Sequence, residues 1–114
     1  MTIENIEERR RYERIKPNPA QWSIHYYQGA MKLIDISLGG ARVHLNEPVR
    51  KSQLLDIEIT LPDKSRIFCK ATVAWVTQLP AWSPMGFDAG LQFSAIADSK
   101  RKHLAGILQV PCIF

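Results

Sequence analysis

The sequence predicts an all-β domain, a small six-stranded antiparallel split β-barrel with a C-terminal amphipathic helix and a flexible N-terminal arm. Three observations carry this. Apolar and polar residues alternate with period two along most of the chain. Clusters of Gly, Pro, Asn, Asp and Ser punctuate those runs at short intervals. A helical apolar stripe appears once, near the end. With 114 residues there is material for a single core. An open sandwich is the other architecture that fits such strands.

Residues 1–19 form the arm, dense in charge and closed by Pro17 and Pro19, which resist regular continuation. Residues 20–114 form the barrel and helix. Trp22, Ile24 and Tyr26 alternate with Ser23, His25 and Tyr27, marking a half-buried first strand. A turn at Gln28-Gly29 leads into AMKLIDI. After SLGG, the run ARVHLN turns Ala41, Val43 and Leu45 one way and Arg42, His44 and Asn46 the other. EPVRKSQ is a loop. LLDIEITL sets Leu55, Ile57, Ile59 and Leu61 on one face, and PDKS is a turn. RIFCKATVAWVTQ reads as a long strand, bent midway, and FDAGLQFSA as the last. Asp98 is the expected N-cap of SKRKHLAGILQV, with Leu104, Ile107, Leu108 and Val110 on one stripe and Pro111 as its stop.

The hydrophobic share of 46% and charged share of 23% are those of a folded soluble domain. No run is apolar enough to span a membrane. An N-terminus of glutamates and arginines does not resemble an export signal, and a cytoplasmic location is expected. Cys69 and Cys112 suggest no disulfide framework, and Cys69 is expected to pack as a small hydrophobe. Net charge is +4, which leans toward an anionic partner.

Catalysis finds no support. His25, His44 and His103 lack paired metal-ligand spacing, so no metal site is expected, and neither a P-loop nor a nucleophile elbow occurs. Trp75 reads as core or barrel surface. Trp82, in the proline-bounded loop LPAWSPMG, either caps the core or meets a partner. Lys100, Arg101 and Lys102 read as the solvated side of the helix.

Binding chemistry concentrates in two places. Arg10 and Arg14 stand four apart in RRYER. Each offers planar N–H donors suited to phosphate oxygens or to guanine N7 and O6. The bland alternative is a solvated face balanced by Glu7, Glu8 and Glu13. In DISLGG, Asp35 can accept from paired donors such as guanine N1–H and its amine, and Ser37 adds a hydroxyl. Gly39 and Gly40 are expected to permit positive φ and close ligand approach. The alternative there is a plain turn in which Asp35 and Ser37 bond their own amides.

In order and spacing these pieces resemble the PilZ family. Arg10 to Arg14 match its RxxxR motif and Asp35 to Gly40 its DxSxxG motif. Gly90-Leu91-Gln92-Phe93 is similar to the GxxF element near the end of the last strand. The resemblance implies a non-enzymatic receptor for cyclic di-GMP, with ligand-binding roles on Arg10, Arg14, Asp35, Ser37 and Gly40. Arg9, just before the first motif arginine, implies a stacked pair of ligand molecules per chain; Arg11 takes that role if the arm shifts by one residue. An arm ordered by the ligand would then present a surface to an effector protein. The competing readings are a basic small barrel that binds nucleic acid, of which Tyr26, Tyr27, Arg42 and His44 supply a fragment, and a PilZ-like scaffold that binds only protein.

Overall fold

A computed structural model describes residues 14–27 and 29–110. Arg9, Arg10, Arg11, Pro111 and Cys112 lie outside the described residues. The strands are β1 (Ser23–Tyr26), β2 (Met31–Ile36), β3 (Gly40–Leu45), β4 (Leu54–Thr60), β5 (Arg66–Gln78) and β6 (Phe87–Ala95). All neighbours are antiparallel, in the order β1-β4-β5-β6-β3-β2, and β1 returns alongside β2 to leave a nearly closed barrel. The expected fold class holds.

Alternation sets the interior as the sequence indicates. Trp22, Ile24, Tyr26, Ala41, Val43, Leu45, Leu55, Ile57 and Ile59 are all buried. Cys69 is buried too, and desolvation pushes its thiol up to about 11.

Two of the breaks in this alternation position the site. In β2 the register with β3 shifts between Leu33 and Asp35, leaving Ile34 as an extra residue. In β5 the register with β6 shifts between Val73 and Trp75, leaving Ala74 extra. Each bulge reverses the parity of the later residues in its strand. Leu33 opposes the inward Val43, and strict alternation would turn Asp35 inward as well. The bulge instead sets Asp35 opposite the exposed Arg42 and Ile36 opposite the buried Ala41. In the same way Val73 is buried while Trp75 stands 41% exposed on the outside. The midway bend expected in β5 is this bulge.

The helix α1 (Asp98–Leu108) buries Leu104, Ala105 and Leu108 against the core. Its N-cap is Ala97, with no side-chain cap, so the expectation for Asp98 is corrected: its carboxylate lies in the first turn, where it faces the helix dipole. Gln109 closes the helix in a left-handed conformation, φ 57°, donating back to the carbonyls of Ala105 and Gly106. His103 reaches the β4–β5 turn, with Nε2 2.8 Å from Asp63 and 3.0 Å from Ser65. Trp82 is 85% exposed, which removes its core-capping reading. No described helix is long and apolar enough to cross a membrane.

Candidate functional site

The end of the arm is fastened to the barrel by backbone. Ile15 and Ile36 form a two-way antiparallel bridge, N to O 2.9 Å and 3.0 Å. This bridge sets Arg14 beside the outward-facing Asp35. Arg14 Nη1 donates to Asp35 Oδ1 at 2.7 Å across a sequence separation of 21 residues. The Arg14 side chain is about half exposed and that of Asp35 mostly covered. An exposed pair of this kind contributes at most about 1 kcal/mol to stability.

The turn after β2 is held from within. Ser37 N–H donates to the Gly40 carbonyl at 2.8 Å, and the Ser37 hydroxyl lies 3.4 Å from the same oxygen. Gly39 N–H donates to Ser37 Oγ at 3.3 Å. Ser37 is buried, so its hydroxyl is engaged with its own turn as the alternative reading anticipated. Asp35, by contrast, turns away to Arg14.

The expectation of positive φ for the glycines is corrected, since none of the described glycines has one. Gly40 is required for another reason. A Cβ there would sit 2.1 Å from the Leu91 carbonyl oxygen, so β6 backbone leaves no room for a side chain.

The cross-sheet register then builds a row on the outer face: Asp35 opposite Arg42, Arg42 opposite Gly90, Gly90 opposite Trp75. The Trp75 indole lies over Gly90, where a Cβ would come 2.1 Å from Nε1. Arg42 is clamped by Asp88, Nε to Oδ1 2.9 Å and Nη2 to Oδ2 2.8 Å. That hydrogen bonding and charge, with Asp35 adding to it, hold the guanidinium proton more tightly than usual. His44 Nε2 lies 3.4 Å from Asp88 Oδ1 but forms no aligned hydrogen bond.

Among the described residues no group of three metal-ligating side chains converges. Among the described residues, Tyr26, Arg42 and His44 of the nucleic-acid reading do not form one aromatic-basic face. Tyr26 points into the core, while Arg42 and His44 both face Asp88.

A groove of about 410 Å³ lies elsewhere, lined by residues that include His25, Tyr27, Phe68 and Lys70. It contains no motif residue. Lys70 already bonds Asp56 at 2.8 Å, and His25 sits 3.4 Å from Glu58. What sets the outer row apart from the groove is that the two motifs meet there, through Arg14 and Asp35.

The family model for the PilZ domain matches residues 8–109. The chain belongs to the PilZ family. Its fold is similar to that of three solved structures, each with 89% of this chain covered. The Bacillus subtilis inhibitor of motility MotI/DgrA aligns with a TM-score of 0.71 and 21% identity over 50% of its own chain. The MrkH–c-di-GMP complex of K. pneumonia gives 0.71 and 19% over 51%. Escherichia coli YcgR in complex with c-di-GMP gives 0.69 and 20% over 45%. The chain thus spans about half the length of these proteins. No curated protein matches it in sequence.

Within this PilZ domain the structure brings together Arg14 and Asp35, packs Ser37 and Gly40 into the adjoining turn, and leaves Arg9 and Arg10 outside the described residues. Neither Trp75 nor Arg42 stands out in the sequence as a neighbour of the two motifs. The Trp75 parity depends on a bulge that no residue type announces, and the Arg42 partner lies 46 residues away.

Proposed function

We propose that this PilZ domain is a cyclic di-GMP receptor that acts as an adaptor and catalyses nothing. The Arg14–Asp35 pair carries the proposal, because it joins the two motifs on one outer face. MrkH and YcgR, solved with this ligand, share the fold.

The residues suit the ligand chemically. Arg14 donates to phosphate or to a guanine edge, and Asp35 retains Oδ2 for guanine N1–H and amine donors. Ser37 and Gly40 hold the turn that aims Asp35. Trp75 supplies an exposed ring face on the same row. Arg10 is four residues from the anchored Arg14, so its Cα lies within about 14 Å of it. Arg9 and Arg10 are thus tethered within range of that face, and Arg9 offers the additional cation for a second, stacked ligand. The dianion neutralises the arginines and draws the arm onto the barrel, creating a surface for an effector protein.

Each charge-assisted bond contributes about 1.5–3 kcal/mol, and tenfold in affinity is about 1.4 kcal/mol. Titration calorimetry with cyclic di-GMP should show two ligands per chain, falling to one in Arg9→Ala. Affinity should drop at least tenfold in Arg14→Ala and in Asp35→Ala. Near-normal binding by both of the latter variants would overturn the site.

A further inference from the structure

The Arg42–Asp88 pair is built differently from the other surface ion pairs. Asp88 is 7% exposed, on β6, and engages Arg42 through two bonds at 2.9 Å and 2.8 Å. Those bonds use Nε and one hydrogen of Nη2, the side edge of the guanidinium. The end edge, made by Nη1 and the second Nη2 hydrogen, has a parallel pair of donors left over. The Arg42 side chain is 44% exposed, so that edge is accessible. Asp88 therefore fixes the plane of a fork instead of consuming it.

Position gives the fork its target. Arg42 is the cross-strand partner of Asp35 on one side and of Gly90, under Trp75, on the other. A purine lying against Trp75 turns an edge toward Arg42. Guanine carries adjacent acceptors, O6 and N7, whereas adenine has an amine donor in place of O6. Arginine end edges match the guanine pair, and an acceptor carboxylate next door matches N1–H.

We infer that Arg42, oriented by Asp88, is a guanine-reading residue of the barrel wall, donating to O6 and N7 of the bound nucleotide. This rests on the cyclic di-GMP reading above. It assigns base recognition to a rigid side chain and leaves the phosphates to the arm arginines. Asp88 is a positioning residue.

The test pairs a protein change with a ligand change. Cyclic di-GMP and its 7-deaza analogue, lacking both N7 acceptors, are titrated into wild type, Arg42→Gln, Arg42→Lys and Arg14→Ala. Arg42→Gln leaves the Asp88 carboxylate short of donors, so Arg42→Gln/Asp88→Asn is included as a variant with no buried charge. Thermal melts verify folding. Arg42→Gln and the double variant should bind cyclic di-GMP at least tenfold more weakly than wild type. Arg42→Lys should not restore binding, because an ammonium presents no parallel fork. The 7-deaza ligand should lose affinity for wild type and lose clearly less for Arg42→Gln. Equal 7-deaza losses in both proteins would overturn base reading, as would binding by folded Arg42→Gln within twofold of wild type while Arg14→Ala is impaired. Absence of binding by wild type would instead sink the receptor reading, and this inference with it.

Discussion

Replacing Gly40 with alanine puts a methyl group where the sheet has no room. The added Cβ would stand 2.1 Å from the Leu91 carbonyl oxygen, 3.1 Å from its carbon and 3.3 Å from Gln92 Cα. All three are backbone atoms, which cannot rotate aside. Contacts under 3.0 Å essentially never occur, so β3 and β6 must part by roughly 0.9 Å here. The movement strains the Phe93 N–H bond to Gly39 O, 2.9 Å, and the Ser37–Gly40 turn bond, 2.8 Å. Gly40 φ is not positive, so alanine meets no backbone penalty and the whole effect is steric. Overpacking of this sort costs about 2–3 kcal/mol. For a domain of this size that lowers Tm by about 8–12 °C. A thermal melt followed by circular dichroism measures it. Cyclic di-GMP affinity, taken well below Tm, should fall too, since the turn that aims Asp35 is displaced. A melt within about 2 °C of wild type would refute the packing argument and return Gly40 to a role in ligand access.

The same geometry leads to three further outcomes. Trp75→Ala should weaken cyclic di-GMP by about five- to hundredfold, the range expected for one lost base–aromatic stack, while shifting Tm less than Gly40→Ala does. Deleting Ile34 removes the bulge but keeps Asp35 on the outer face opposite Arg42, so cyclic di-GMP binding should persist in calorimetry; its loss in a folded variant would show that the bulge itself shapes the site. Asp63 is held below its ordinary 3.8, first by the Ser65 hydroxyl and backbone and then by His103. A depressed folded value stabilises above the unfolded one and is lost as pH falls through the folded one. The Tm difference between wild type and Asp63→Asn should therefore be open at pH 6 and close as pH drops below 3.8; a constant difference would show that the carboxylate charge plays no part.

The strands were legible because the chain alternates so regularly. Ala41, Val43 and Leu45 point inward as read, and so do Ile57 and Ile59. The motif meeting was legible only in part. Arg14 and Asp35 are complementary in charge, but their approach depends on the Ile15–Ile36 bridge, which two ordinary isoleucines do not advertise. Bulges were the main blind spot. MKLIDI and VAWV contain no glycine at the extra residue, and the parity change appears only in pairing with β3 and β6. The steric demand for Gly40 is hidden for a related reason: it comes from Leu91, a residue on another strand. The helix start was missed by one residue, since Ala97 closes the N-terminus without a side-chain bond.

Amide and indole chemical-shift mapping during a cyclic di-GMP titration separates the outer row from the groove on β1, β4 and β5. Ile15, Asp35, Ser37, Arg42, Gly90 and the Trp75 indole should shift together and saturate together, while Tyr27, Phe68 and Lys70 stay still. Shifts concentrated at Tyr27, Phe68 and Lys70, with Asp35 and Trp75 unmoved, would contradict a site on the outer row.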